Sequence, residues 1–321
     1  MTLDHVRANG LFLIADPHLA DTPPGQRLDG YLDQVMSKLT ACLDRADELG
    51  MVPVLLGDLF HWPRDNSNKM LVELIRLLGR REGDAMVWAL VGNHDKYQSR
   101  FTDDVSLAVL ETAGVVRLMK EDGPQFVLDT PDGSVLVCAS PDGTPLPKGY
   151  ERRDDDPETV VWLTHHNIRF PEFLERAYSI RELPGIDWLI NGHIHRPQPT
   201  VVKGQTTWAN PGNITRLTFT RRSMARAPAA AVWTPGCEEL EKWVVPHLPF
   251  TEIFPDQELP PEEQELDGES NFIKGLEKLA WRRTREGTGL KQFLEDNLSK
   301  KTPEGRLIWN LYEEVTRSDE Q

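Results

Sequence analysis

The sequence predicts an α/β layered fold with a small helical appendage at the C-terminus. Three observations carry that expectation. Short apolar runs recur at residues 11–15, 52–56, 86–91, 160–164 and 187–191, as expected for strands buried on both faces. Amphipathic stretches fill the first gaps between them, so strand and helix alternate. Each run also leads into a motif with Asp, Asn or His, and open α/β sheets build their sites beyond the carboxyl ends of their strands.

Taken in order, residues 11–15 lead into Asp16-Pro17-His18. Residues 31–49 place Leu32, Val35, Met36, Leu39, Leu43 and Ala46 at helical spacing. Residues 52–56 lead into Gly57-Asp58-Leu59-Phe60-His61, and residues 66–81 carry Met70, Leu71, Leu74, Leu77 and Leu78 on a second helical stripe. The third run opens onto Gly92-Asn93-His94-Asp95, the fourth onto His165-His166-Asn167, the fifth onto Gly192-His193-Ile194-His195. Gly57, Gly92 and Gly192 stand where the backbone must turn sharply and approach a bound group closely. Residues 229–254 contain two strand-like segments that close on Pro249-Phe250-Thr251.

Carboxylate, amide oxygen and imidazole make a ligand set for Mn, Fe or Zn, and no cysteine sulfur takes part. Two such ions about 3.5–4 Å apart can clamp the attacking and leaving oxygens of an in-line displacement at phosphorus and generate hydroxide near neutral pH. Ions that close need a bridging carboxylate. Asp58 is the lone acid at its strand end, whereas Asp16 is already paired with His18. Asp95 is read as orienting His94 or capping a following helix, and His166 as lining the site. His5 and His247, outside every motif, read as surface residues.

The ordered motifs resemble the calcineurin-like metallophosphoesterase superfamily and, within it, the SbcD-type DNA-repair nucleases that partner the SMC-like ATPase SbcC. The resemblance covers roughly residues 11–254 and implies a layered β-sandwich flanked by helices. It implies one metal held by Asp16, His18, Asp58 and His195 and a second by Asp58, Asn93, His165 and His193, with Mn the expected ion and Fe, Zn or Mg the other choices. It also implies that His94 contacts the phosphate and protonates the leaving oxygen. His61, three residues past the bridging acid as in SbcD-type nucleases, would help position the phosphodiester. The Asp-Arg-Gly continuation of protein Ser/Thr phosphatases is absent. His165-His166-Asn167 is similar to the nuclease His-Gln-Asn, and Asn210-Pro211-Gly212-Asn213 to its Asn-Pro-Gly-Ser, while Ala15-Asp16-Pro17-His18 departs from the usual Ser-Asp-x-His opening. The implied activity is hydrolysis of DNA phosphodiesters in repair or end processing. A small-molecule phosphodiesterase opening cyclic nucleotides shares the same metal core. A non-catalytic docking scaffold would be marked by missing ligands, and none is missing here.

The formal charge is −15, an awkward balance for a polyanionic partner. Its distribution is uneven. No Asp or Glu lies between Asp187 and Glu238, a stretch that holds Arg196, Lys203, Arg216, Arg221, Arg222 and Arg226. This segment, above all Arg216, Arg221, Arg222 and Arg226, is expected to track the DNA backbone. Acidic residues collect at Asp154, Asp155 and Asp156 and at residues 252–269.

The domain expectation is a metallophosphoesterase unit at 1–254, an acidic, Pro-rich linker at 255–270, and a helical segment at 271–321. Helices are expected at 271–286, 290–299 and 303–317, the last with Pro303 near its start. The segment would serve as a reduced cap or would dock an SbcC-like ATPase through Trp281 and Trp309, because the chain carries no Gly-x4-Gly-Lys-Ser/Thr motif of its own. The resemblance also implies a homodimer. Cys42, Cys138 and Cys237 have no CxxC spacing, which argues against a disulfide framework or zinc ribbon. With no signal-like or membrane-spanning run, a cytoplasmic setting without membrane contact is expected.

Overall fold

The computed structural model describes residues 3–173 and 178–259 together with Trp309. The chain divides into two compact units, Met1–Leu259 and Pro260–Gln321. The helices expected at 271–286, 290–299 and 303–317 lie outside the described residues, Trp309 excepted.

Two sheets stack in the first unit. One has six strands: β2 (Leu11–Ile14), β3 (Val52–Leu55), β4 (Val87–Leu90) and β5 (Val116–Met119) run parallel, and β14 (Ala229–Trp233) and β15 (Glu241–Val244) extend the β2 edge antiparallel. The other has seven: β1 (Asp4–Arg7), β6 (Gly123–Thr130), β7 (Gly133–Ser140), β8 (Thr159–Thr164), β11 (Trp188–Asn191), β13 (Thr206–Asn210) and β12 (Gln198–Lys203), in that order. Two further short strands, β9 (Ile168–Arg169) and β10 (Tyr178–Ser179), pair with each other.

The apolar runs form strands because both of their faces are covered. In β2, β3, β4 and β11 every residue is buried. Alternate side chains divide between layers: Leu11, Leu13, Val52, Val54, Trp88 and Leu90 meet Val135, Val137, Val161, Leu163 and Ile190 of the other sheet in the sandwich core. The opposite faces, Phe12, Ile14, Leu55, Val87 and Ala89, pack on α1 (Tyr31–Leu49), α2 (Asn68–Leu78) and α3 (Ser106–Thr112). Pro53 is tolerated in a central strand because pairing with β4 begins one residue later, at Val54.

The helix boundaries have local causes. Helix α1 closes on Gly50, left-handed at φ 60°, whose N–H reaches the Ala46 carbonyl. Helix α2 starts behind Ser67, whose hydroxyl accepts from the Met70 N–H at 3.1 Å. It ends at Leu78, short of the expected Arg81. Arg81 instead turns onto α1 and pairs with Asp47 at 2.6 Å and Asp44 at 3.1 Å.

The flanking helices expected from the sequence are present and lie on one layer of the sandwich. Among the described residues, helices of two turns or more flank only the six-stranded sheet. The outer face of the seven-stranded sheet, with Leu136, Cys138, Val160, Trp162 and Leu189, is covered by Ile168, Phe170, Leu183, Ile186 and Ile194, from irregular or short extended chain. Helices α1, α2 and α3 fill the crossovers from β2 to β3, β3 to β4 and β4 to β5.

The buried face of α1 also holds Lys38. Burial pushes its ammonium down to about 7, helped by Arg27, Arg216 and Arg226 and opposed by Asp29. Between the folded value and the ordinary value of 10.5 the unfolded chain holds a proton that the folded chain has lost, so stability rises with pH across that window and the full penalty applies below it. Lys38→Met is therefore expected to stabilise the fold by at least about 1 kcal/mol at pH 7, and by less at pH 10. Urea unfolding at the two pH values measures the difference.

Candidate metal centre

Strands β2, β3, β4, β8 and β11 present their C-terminal ends at the same site. Strands β2, β3 and β4 are mutually parallel, as are β8 and β11. The residues that follow them are Asp16 and His18, Asp58 and His61, Asn93 and His94, His165, and His193 and His195. Asp16, His18, Asp58 and His165 are buried to 1% exposure or less.

The turns that deliver them are strained. Among the described residues six non-glycine residues have positive φ, and four are Asp16 (46°), His18 (52°), Asp58 (49°) and His193 (67°). Such conformations cost about 1–3 kcal/mol each and persist where the surroundings over-determine them. The glycines give the required clearance. A Cβ on Gly57, itself at φ 97°, would sit 2.3 Å from His165 Nδ1, and one on Gly92 would sit 2.1 Å from Asp58 Oδ1. On Gly192 it would lie 2.2 Å from the Leu56 carbonyl oxygen.

Among the described residues three groups of ligand atoms assemble, each with all members within 4.8 Å of one another: Asp16, His18 and His195; Asp58, His165 and His193; and, on the flank, His18, His61 and His94. Asn93 joins the second, its Oδ1 lying 2.9 Å from His193 Nδ1 and 3.2 Å from His165 Nε2. Asp58 stands between the first two groups. Its Oδ2 is 3.3 Å from His165 Nε2 and 3.8 Å from His18 Nε2, and its Oδ1 accepts from the His94 N–H at 2.8 Å. His165 donates from Nδ1 to the Leu56 carbonyl at 2.7 Å, which turns Nε2 toward the cluster. His18 Nε2 and His195 Nε2 approach to 2.9 Å.

These residues fit divalent cations on their own chemistry. Asp16 Oδ2 is buried and meets no hydrogen-bond donor, an arrangement whose desolvation is costly without a positive partner. Burial pushes the Asp16 carboxyl up to about 7, with Asp58 adding to the rise and His165 opposing it. Burial likewise pushes His195 down to about 3 and His18 well below the ordinary range, leaving neutral imidazoles ready to ligate. His165 goes the other way. Burial disfavours its charge, but Asp58 and Asp16 outweigh that and lift it to about 10. Burial alone would raise Asp58, yet His165, followed by His94, holds it well below the usual carboxylate range. A divalent cation held by Asp58 and His165 would take the place of that proton.

His61 and His94 form the outer flank. His94 donates from Nδ1 to the His61 carbonyl at 2.8 Å, the two rings stack with centroids 5.4 Å apart, and His61 Nδ1 lies 3.4 Å from His18 Nδ1. Asp95 does neither of the things expected of it. Its buried carboxylate accepts from the Gly92 N–H at 2.9 Å and the Phe60 N–H at 3.3 Å, locking the loops after β3 and β4 together. The next helix, α3, begins only at Ser106. His166 points away from the ligands, with Nε2 2.8 Å from the Thr144 carbonyl.

The basic segment also requires correction. Arg216 is buried, and its guanidinium donates to the carbonyls of Arg226 at 2.6 Å and Leu248 at 3.2 Å. Arg226 donates to the carbonyls of Asn213 and Thr215, both at 3.1 Å. A guanidinium has five donors, and an irregular loop supplies the carbonyls that absorb them. These two arginines therefore brace the chain behind His195, and Arg216 is too buried to belong to an exposed basic surface. Arg196 pairs with Glu172. Arg221 and Arg222 are exposed on α4 (Arg221–Ala225).

Three supporting residues have roles that the sequence reading did not assign, although Asn167 stood in a motif. Asn191, fully buried, accepts through Oδ1 from Thr164 Oγ1 at 2.8 Å and the His166 N–H at 2.9 Å, and donates to Asn210 Oδ1 at 3.0 Å. Tyr31 donates to the His18 carbonyl at 2.7 Å, and Asn167 Oδ1 lies 3.0 Å from His193 Nε2. A polar residue ending an apolar strand was the available signal for Asn191. Tyr31, at the start of a helix far from any motif, offered none.

Chelation of divalent cations is expected to lower the melting temperature by several degrees and Mn to restore it, because the cation offsets converging buried ligands only in the folded chain. Asp58→Asn should lose most of that Mn-dependent rise in a calorimetric scan. Gly57→Ala is expected to cost about 1–3 kcal/mol, read as a lower urea midpoint.

Among solved structures, a 5'-nucleotidase precursor from Thermus thermophilus aligns with a TM-score of 0.42 at 14% identity, over 85% of this chain and 58% of that chain. The chain therefore spans little more than half of that protein's length. No curated protein matches the sequence. The model of the calcineurin-like phosphoesterase family matches residues 11–197, which includes every strand end that carries a ligand, and the chain belongs to that family.

Proposed function

We propose that this metallophosphoesterase is a Mn-dependent DNA phosphodiesterase of the SbcD type, acting in repair or end processing. The observation that carries the reading is the placement of His61. It extends the His/Asp cluster sideways, its carbonyl fixes His94, and its ring stacks on His94. A diester carries a second ester arm that a monoesterase need not hold, and a ring stacked beside His94 is a group that can hold it. Exposed Arg221 and Arg222 add positive charge, while the net charge of −15 argues for contacts confined to the site's surroundings. An ATP-driven step would come from an SbcC-like partner engaging the C-terminal segment, and a homodimer belongs to the same reading.

Two divalent cations bound by Asp16, His18, Asp58 and His195 and by Asp58, Asn93, His165 and His193 would activate water and neutralise phosphate charge. The remaining chemistry falls to the chain. His94, with Nδ1–H committed to the His61 carbonyl, presents Nε2 as the atom that can pass a proton to the leaving oxygen. Asp58 holds the His94 backbone through its N–H, so the acid and the ligand cluster keep a fixed spacing.

The test is cleavage of end-labelled duplex DNA, circular single-stranded DNA and a cyclic nucleotide in Mn. His94→Ser is expected to retain bound metal and lose roughly 100- to 10,000-fold in turnover. A His94→Ser protein that cleaves as fast as the parent would overturn the role of His94. Hydrolysis of the cyclic nucleotide alone would replace the DNA reading with a small-molecule one.

A further inference from the structure

The loops after β3 and β4, at residues 59–67 and 93–105, rise side by side at the rim of the site. Their crests carry aromatic side chains that metal binding and proton transfer leave unused. Trp62 is 40% exposed, and its indole meets His61 edge-on with centroids 4.7 Å apart. Tyr97 is 37% exposed, and the Arg64 guanidinium lies 3.4 Å over its ring.

These rings are fixed from below. Asn66 donates to the Trp62 carbonyl at 2.7 Å and to Ser106 Oγ at 2.8 Å, while Ser106 N–H holds the Pro63 carbonyl at 2.7 Å. Arg64 is also paired with Asp104. Tyr97 and Arg100 exchange backbone hydrogen bonds at 3.0 Å in both directions, around Gln98 and Ser99 at φ 50° and 59°. A large ring on an immobilised backbone loses little ordering entropy when a ligand lands on it. His94, His61 and Trp62 therefore form a sequence of rings leading outward from the phosphate-handling group to solvent.

We propose that Trp62, with the Arg64–Tyr97 pair beside it, is a stacking shelf for the base of the nucleotide whose phosphate is attacked. This rests on the phosphodiesterase reading and narrows its substrates to esters of a nucleoside. A phosphate at His94 sends one ester arm over His61, and a base one sugar away from that phosphate reaches Trp62. An alkyl ester would leave the indole wet. Every base has a π face, so the shelf tolerates sequence, and the guanidinium adds cation–π attraction.

The experiment compares two chromogenic diesters with the same leaving group in the Mn-loaded protein, the p-nitrophenyl ester of thymidine 5′-phosphate and methyl p-nitrophenyl phosphate. The parent is expected to show a lower KM for the thymidine ester. Trp62→Ala should raise that KM roughly tenfold and erase the preference, while Trp62→Phe should keep most of it. A parent with no preference, or a Trp62→Ala protein in which both esters lose equally, would overturn the shelf, the latter reducing Trp62 to a support for His61. Cleavage of DNA by such proteins would leave the nuclease reading standing. A Trp62-dependent thymidine preference without DNA cleavage would keep the shelf and remove the nuclease.

Discussion

Two carboxylates, Asp16 and Asp58, are buried among imidazoles at the crest of a dry sandwich core, and the rest of the site is arranged around that constraint. An ionised carboxylate loses its hydration there and must find a cation, a proton or a fence of N–H donors. Asp58 finds His165 and the backbone of His94. Asp16 receives the His193 N–H at 3.0 Å through one oxygen and keeps the other without a donor. This difference explains why burial lifts Asp16 toward neutrality while Asp58 stays charged.

Holding those groups at close quarters costs backbone strain, and the surrounding hydrogen bonds show how that strain is contained. The β2 and β3 loops are tied by His18 N–H to the Asp58 carbonyl at 3.0 Å and by Leu19 N–H to the Leu59 carbonyl at 2.8 Å. Asp95 joins the β3 and β4 loops, and Asn191 joins the ends of β8, β11 and β13. Each strained residue therefore lies next to a buried polar clamp. The clamps are themselves fully enclosed, so removing one would leave its partners buried without hydrogen bonds.

The legible part of the molecule was the part with uninterrupted apolar runs. Strands β2, β3, β4, β8 and β11 could be read from sequence to within a residue or so, and with them the order in which the polar motifs reach the site. Strand β1 could not be, because only Val6 of its four residues is buried. Helix α3 spans seven residues, too short for a helical period to show. Charge was the weakest guide: Arg216 looks like a surface cation in sequence, but an irregular loop rich in unmet carbonyls drew it inward. The roles of Asp95 and Tyr31 depend on which loops lie side by side, which the spacing within any one motif does not contain.

The arginine bracing behind His195 links distant parts of the chain. Arg27 donates to the Arg216 carbonyl at 2.6 Å and lies over the rings of Tyr31 and Phe254, while the Leu28 N–H meets the Ile253 carbonyl at 3.0 Å. Phe254 packs with Phe250 and Phe219 at the point where the chain leaves the first unit. Tyr31 reaches the His18 backbone, and Asn213, gripped by Arg226, donates its N–H to the His195 carbonyl at 3.0 Å. A pull on the exit segment would therefore be borne by the same struts that aim two of the imidazoles, so mechanical load at that end of the unit would be felt as a change in ligand spacing.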